Sequence, residues 1–203
     1  MTGPELSEFL SRHRVALIAG VIILLLAALG FFGYEKYQRH QVQKAAVLYN
    51  ELVDTLVAGQ TSTARASADT LIHQYNQTPY ATFAHFFLAR MDMNSQKIPA
   101  AEAELKAVIQ SSNAPRGMHS MARLGLARLE VNQHQPQKAL DILQHSDPAF
   151  TTIHDEIQGD AYAALHQPIK ARQAYQAALS ALPAADPYRS YLQMKMANIG
   201  VVP

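Results

Sequence analysis

The sequence predicts an all-α protein in which a single N-terminal transmembrane helix precedes a solenoid of helical hairpins. Three observations support this prediction. The eighteen residues from Val15 to Phe32 carry no charge. In the rest of the chain Ala, Leu, Gln, Lys, Glu and Met dominate, and Pro and Gly fall between the periodic segments. The hexapeptide HQPQKA at 134–139 recurs 32 residues later as HQPIKA at 166–171, which indicates an internal repeat.

The uncharged run has the length of a membrane span. A helix of this length reaches about 27 Å, close to the ~30 Å hydrocarbon thickness of a bilayer. The run is apolar on every side, whereas a helix that covers a soluble core would show a polar face. Tyr34 and Tyr37 follow it, and aromatic side chains suit the membrane–water interface. These features favour a permanent anchor at 15–34 over a buried core helix.

A cleaved secretion signal is the other alternative to an anchor. Ala28-Leu29-Gly30 resembles a cleavage site, although the apolar run continues past it.

The flanking charges leave the orientation of the run open. Two basic residues precede it, Arg12 and Arg14, and three follow it, so the positive-inside rule does not decide which end faces the cytoplasm.

Composition excludes several classes of function. The 17 basic residues are scattered among 16 acidic ones, so the net charge is +1 and no basic stripe suggests nucleic acid. The chain has no cysteine, which excludes a disulfide scaffold, a thiolate nucleophile and a Cys-bound metal. The nine histidines form no metal-binding motif, and no phosphate-binding loop or nucleophile elbow occurs. We therefore expect a protein that is not an enzyme and uses no cofactor or metal.

Nine helices are expected after the apolar run, because proline or glycine stands at nearly every boundary. Proline suits the first helical turn, where its missing N–H has no partner to lose. No alternating strand pattern competes over a useful length. The predicted helices cover 35–57, 62–75, 79–94, 99–111, 116–132, 136–145, 148–165, 168–182 and 187–198.

The last pair of these helices carries the landmarks of a tetratricopeptide unit, a helix–turn–helix of about 34 residues. In such a unit a small residue and an aromatic residue stand on the first helix. An alanine, an aromatic residue, a second alanine and a closing proline follow on the second helix. The landmarks here are Gly159, Tyr162, Ala171, Tyr175, Ala178 and Pro183. Their spacing is similar to that of the tetratricopeptide repeat.

Two earlier units follow the same register with departures from it. The aligned sets are Ala89, Ala127 and Gly159; Ala101, Ala139 and Ala171; and Leu105, Leu143 and Tyr175. Asp92 and Glu130 replace the tyrosine of the first helix. The small residues are expected to let paired helices approach closely. A hairpin cannot bury its apolar face alone, so we expect neighbouring hairpins to stack.

First-helix side chains line the concave face of such a stack, and they form the candidate partner-binding site. The first two units place apolar residues beside an arginine at matching positions. These residues are Phe83, Phe86 and Arg90, and then Met121, Leu124 and Arg128. The third unit has Ile153, Glu156 and Asp160 there and is expected to be acidic. A groove of this composition suits a peptide segment of a partner. The alternative is that Phe83, Phe86 and Leu124 only pack between helices.

Over nearly its whole length the sequence resembles the bacterial ancillary subunits of the Sec translocon, the YfgM-like family. The stretches that carry the resemblance are LSEFLSRHR, the Val15–Phe32 run, LARMDMN, LGLARLEVNQ and QMKMANI. The resemblance implies a cytoplasmic segment at 1–14, a transmembrane helix at 15–34 in the inner membrane, and a periplasmic tetratricopeptide-like domain at 35–203.

The same resemblance implies three kinds of partner. They are the Sec translocon channel, a periplasmic prolyl isomerase-like chaperone and newly translocated polypeptides. A different function fits the anchor and the repeat equally well. It is an envelope scaffold that organises cell-wall or division machinery independently of the translocon.

Overall fold

A computed structural model describes residues 3–115, 117–145 and 148–199 of the chain. All regular elements in these ranges are helices, so the all-α prediction is confirmed. The chain divides into two compact units, 1–47 and 48–203. Most of the repeat structure belongs to the second unit.

Helix α1 runs without a break from Gly3 to Val57, so the helix predicted at 35–57 is the C-terminal part of a longer one. Between Ile22 and Phe32 its large apolar side chains are exposed, from Ile22 at 51% to Leu24 at 71%. No helix in the described ranges is both long and apolar enough to cross a membrane. The span predicted at 15–34 lies partly outside the description, because the side chains of residues 1–18 and of Val21 are not included in it.

The described residues of the second unit form eight further α-helices. They are α2 Thr61–Gln74, α3 Pro79–Asn94, α4 Ile98–Gln110, α5 Met118–Asn132, α6 Pro136–Leu143, α7 Thr151–Ala164, α8 Pro168–Ser180 and α9 Tyr188–Ala197. Proline lies in the first turn of α3, α4, α6 and α8, as its missing N–H favours. A short 3₁₀ turn at Pro148–Phe150 precedes α7, where the sequence predicted the start of an α-helix.

Three helical hairpins stack along the chain. They are α3–α4, α5–α6 and α7–α8, and each contacts the next through α4–α5 and α6–α7, while α5 also touches α7. Helix α2 packs on α3 at one end, and α9 packs on α8 at the other. Nearly all the repeat landmarks are buried: Ala89, Ala101, Ala127, Ala139, Gly159, Ala171, Tyr175 and Ala178. Tyr162 is half-buried and Pro183 is exposed. The solenoid of helical hairpins is therefore confirmed.

The turn within each hairpin has the same left-handed backbone. Gln96, His134 and His166 have φ values of 59°, 57° and 55°. In each turn the N–H of the following residue donates to a carbonyl oxygen five residues earlier, at 2.8–2.9 Å. This hydrogen bond and the positive φ form the Schellman motif, which normally ends on glycine. His134 and His166 therefore serve as turn residues that occupy a conformation unfavourable for a side chain.

Glycine at these turns should stabilise the protein. We expect His134→Gly and His166→Gly each to raise the free energy of unfolding by about 0.5–1 kcal/mol, because glycine removes left-handed strain of about 1–2 kcal/mol but adds entropy to the unfolded chain. Urea denaturation measures the change. Gln135→Gly is the matched control, because φ is −117° there and no strain is relieved. Equal effects at 134 and 135 would contradict this interpretation.

The third hairpin has one very close helix contact. A Cβ added to Gly159 of α7 would lie 2.6 Å from two ring carbons of Tyr175 on α8. The other two hairpins have alanine and leucine at these positions, Ala89 with Leu105 and Ala127 with Leu143. Glycine at 159 therefore makes room for the tyrosine ring.

Candidate partner-binding groove

A groove of about 840 Å³ runs along the first helices of the three hairpins. Its walls come mainly from α3, α5 and α7, together with the end of α1. The structure brings all six predicted partner-binding residues to this groove: Phe83, Phe86, Arg90, Met121, Leu124 and Arg128. That they bind a partner remains a prediction.

An aromatic cluster at one end of the groove was not predicted. Tyr49 of α1 lies with its ring centroid 5.8 Å from that of Phe83 and 5.9 Å from that of Phe87. Tyr80 also contacts Tyr49, with 5.3 Å between ring centroids. The repeat register in the sequence begins at α3 and assigns no inward face to α1, so Tyr49 was not predicted to lie here. The i, i+3, i+7 spacing of Tyr80, Phe83 and Phe87 was the available signal.

The floor of the groove is part of the hydrophobic core, and its rim is accessible. Leu124 is only 4% exposed and packs with Ile157 of α7. Phe86 is half-buried against the core between α3 and α5. Met121 and Ile153 are 44% and 40% exposed. Packing between helices therefore accounts for Leu124, whereas Met121 and Ile153 present apolar surface to solvent.

The charged groups at the groove are both arginines. Arg90 is exposed, and within the described chain it has no ion pair. Arg128 donates from Nη2 to Oε2 of Glu156 at 3.0 Å, while its own side chain is 48% exposed. No Asp or Glu is among the described residues that line the groove. The groove therefore has an apolar floor and a basic rim.

The prediction that the third unit offers an acidic surface is wrong for Glu156. This residue is 1% exposed, because α9 covers it. Its Oε1 accepts a hydrogen bond from Lys195 Nζ at 2.8 Å, and its Oε2 accepts one from Tyr188 Oη at 2.7 Å. Asp160 also has internal partners, Lys195 Nζ at 2.7 Å and Tyr175 Oη at 2.5 Å. Both carboxylates fasten α9 to the stack.

These contacts shift the pKa values of the groups around Glu156. Burial lowers the pKa of Lys195, but its hydrogen bonds to Asp160 and Glu156 outweigh burial and raise the pKa above its ordinary value. Burial and the hydrogen bond to Asp160 raise the pKa of Tyr175. Burial and the hydrogen bond to Glu156 raise the pKa of Tyr188 to about 12. All three shifts favour the protonated form in the folded protein.

Alkaline pH should therefore destabilise the fold through these groups. The pKa of Tyr188 is higher in the folded chain than its ordinary value of 10.0, so its contribution is full below pH 10 and is lost as pH rises toward 12. Urea denaturation between pH 8 and 12 measures this loss. We expect Tyr188→Phe to be less stable at pH 8 and to lose less stability above pH 10. An unchanged pH dependence would show that Tyr188 does not titrate as described.

Comparison with known proteins places this architecture. The tetratricopeptide repeat-like domain family matches residues 7–201. A Neisseria gonorrhoeae protein named ancillary SecYEG translocon subunit is 30% identical over 184 residues, 87% of each chain. Proteins of the same name from Aggregatibacter actinomycetemcomitans and Escherichia coli are 26% and 22% identical, and cover 88% and 96% of this chain and 88% and 93% of their own. No solved structure matches the chain significantly.

Stacked antiparallel hairpins with tetratricopeptide landmarks and a groove along their first helices define a helical-repeat protein of the tetratricopeptide type. Within that class, the chain belongs to the tetratricopeptide repeat-like family of ancillary SecYEG translocon subunits. The resemblance inferred from the sequence is thereby confirmed.

Proposed function

We propose that this chain is a non-enzymatic, membrane-anchored accessory subunit of the Sec translocon that acts through protein–protein contacts. The observation that carries the proposal is the 30% identity to an ancillary SecYEG translocon subunit over 87% of both chains. That alignment is long enough that it must include part of helix α1 and most of the repeat domain. The basic-rimmed apolar groove supplies a surface for a partner.

The proposed topology has a cytoplasmic segment at 1–14, a transmembrane helix at 15–34 and a periplasmic domain at 35–203. Support comes from the first unit, where the large apolar side chains between Ile22 and Phe32 are at least half exposed. A continuous apolar surface is unfavourable in water by about 25 cal/mol per Å². Lipid would remove that cost.

The proposed partners are the Sec translocon channel, a periplasmic prolyl isomerase-like chaperone and newly translocated polypeptides. Anchoring would hold the repeat domain beside the channel at a high local concentration of these partners. Weak contacts in an open groove are then sufficient, so the mechanism needs no deep pocket and no reaction centre.

Copurification from membranes in mild detergent tests the assignment. We expect the Sec channel components to accompany the full chain. Recovery of cell-wall or division proteins without channel components would instead support an envelope scaffold.

Protease treatment of spheroplasts tests the topology, with tags at both ends of the chain. Digestion of the C-terminal domain and protection of a short N-terminal fragment are expected, and a domain protected until lysis would overturn the topology.

Charge reversal at the groove rim tests the proposed binding surface. We expect Arg90→Glu to reduce copurified partner by about tenfold, equivalent to ~1.4 kcal/mol, because it turns an exposed cation beside the apolar floor into an anion. Arg90 suits this test better than Arg128, whose loss would leave Glu156 short of a partner. Arg172→Glu, an exposed change on α8 outside the groove, is the matched control. Equal partner recovery from both variants would exclude the groove.

A further inference from the structure

A small pocket of about 230 Å³ lies between α4 and α5, away from the groove. Two carboxylates line it, Glu102 of α4 and Glu130 of α5, together with Gln133 and Lys138. The volume is several times the ~30 Å³ that one water occupies in the liquid. It is therefore large enough to admit part of a side chain.

The side chain of Glu130 is largely buried and has no partner in the described structure. Glu130 is 7% exposed, and in the described part of the chain its carboxylate makes no hydrogen bond or ion pair. Glu102 pairs with Lys106 on its own helix, and Lys138 donates to neither carboxylate in the described structure. A buried charge is strongly unfavourable unless an opposite charge or a hydrogen-bond donor compensates it. Glu130 is thus an acceptor that faces a pocket and lacks a donor.

At the preceding interface of the repeat, the equivalent buried carboxylate does have a donor. Interface α2–α3 is equivalent to α4–α5, so Arg65 occupies the position of Glu102 and Asp92 occupies that of Glu130. Arg65 Nη2 donates to Asp92 Oδ1, and Asp92 is 2% exposed. The buried alanines that set this register are Ala64 with Ala101, and Ala89 with Ala127. One interface therefore satisfies its buried carboxylate with an arginine, whereas the next has a second carboxylate at that position.

Packing of the repeat does not require this pair of acids. At the third equivalent interface, α6–α7, the two positions hold Leu140 and Tyr162, an apolar and an aromatic residue. The fold thus accepts an ion pair, two carboxylates or two largely apolar side chains there. Glu102 and Glu130 are consequently a feature of one interface rather than of the architecture.

We propose that this pocket binds the guanidinium or ammonium group of an arginine or lysine side chain from a partner protein. The cation takes the place beside Glu130 that Arg65 takes beside Asp92. A guanidinium fits well, because its planar donors match carboxylate oxygens. A metal ion fits less well, because the described residues contain no group of three or more His, Asp or Glu suited to one. The proposal is independent of the Sec assignment.

Methyl NMR of the full chain in detergent micelles tests the site. Ile98 and Leu129 line the pocket and report on it, and Ile157 in the groove is the internal reference. The ligand is N-acetyl-arginine amide, and N-acetyl-citrulline amide is its neutral match in shape. We expect saturable shifts of Ile98 and Leu129 with the arginine compound only. Equal shifts with both compounds, or saturable shifts with Ca²⁺ alone, would overturn the proposal.

Two variants separate binding from folding. Glu130→Gln should weaken binding of the arginine compound about tenfold or more, because it removes the charge-assisted hydrogen bond. Glu102→Arg should abolish binding and raise the melting temperature by about 2–4 °C, because it supplies inside the chain the cation that Arg65 supplies to Asp92. Glu51→Gln, on the exposed surface of α1, should leave binding unchanged. Unchanged affinity in Glu130→Gln would refute the site, as would a Glu102→Arg variant that still binds.

Discussion

Replacing Gly159 with alanine lowers the free energy of unfolding by about 2–3 kcal/mol. The new Cβ would lie 2.6 Å from two carbons of the Tyr175 ring, well inside the ~3.5–4.0 Å of favourable carbon contact. The ring has little freedom to move, because Tyr175 is 3% exposed and its hydroxyl donates to Asp160. Alanine gains about 1 kcal/mol of helix propensity over glycine, which is too little to offset the clash. Urea denaturation followed by circular dichroism measures the net change.

Gly125→Ala is the matched control for this prediction. Gly125 lies within α5, and its added Cβ would meet Leu105 at 3.4 Å and 3.6 Å, which are near-ordinary contacts. We expect this change to be neutral or stabilising by up to about 1 kcal/mol. Destabilisation of the same size at both glycines would show that the Tyr175 ring is not the cause.

A double variant tests the same contact from its other side. Gly159→Ala combined with Tyr175→Leu reproduces the alanine–leucine pair of the other two hairpins. We expect the double variant to be more stable than the sum of its single changes predicts, because leucine removes the ring that clashes with the new methyl group. Strictly additive effects would contradict the proposed contact.

Glu156→Gln should destabilise the protein by about 3 kcal/mol. Glu156 is 1% exposed, and its carboxylate serves Arg128, Lys195 and Tyr188 at once. Removal of one member of a buried ion pair costs about 3–5 kcal/mol, because the remaining charge is left uncompensated. The lower end applies here, because Arg128 is 48% exposed and Lys195 keeps its bonds to Asp160. Amide hydrogen exchange should also become faster in α9, which these bonds fasten.

Two further variants show whether the buried charge is the cause. Glu35→Gln removes an exposed pair with Arg39 and should change stability by no more than about 0.5 kcal/mol. Glu156→Gln combined with Lys195→Met should lower the free energy of unfolding by less than the sum of the two single changes. The double variant leaves neither charge of this pair without its partner. Additive losses, or unaltered exchange in α9, would argue that Glu156 acts by packing alone.

The sequence predicted the helices well because their boundaries are chemically explicit. Four of the helices begin with a proline in the first turn, and the left-handed turns at His134 and His166 coincide with the repeated HQP sequence. The register of the repeat also identified which side chains of α3 and α5 line the groove. Helix boundaries and the repeat register are both visible in short stretches of sequence.

The charge network was not predictable by the same reasoning. Glu156 contacts Tyr188 and Lys195, which lie 32 and 39 residues further along the chain. The repeat register placed Glu156 on the first-helix face, where a carboxylate is expected to be a solvated surface group. The position of α9 next to Glu156 depends on how the preceding hairpins stack, and no repeat landmark predicts that position. The burial of Glu130 depends similarly on how α4 packs against α5, which the sequence of α5 alone does not show.

The order of helix contacts bears on how the chain folds during synthesis. Helices pack mainly with their neighbours in sequence, from α2–α3 through to α8–α9. Contacts that are local in sequence form quickly, because little chain must be closed into a loop. Each hairpin can therefore assemble on the previous one as the chain lengthens from its N-terminus. The ten residues of α9 therefore complete the domain, because a chain truncated before them would leave Glu156 with Arg128 but without Lys195 and Tyr188.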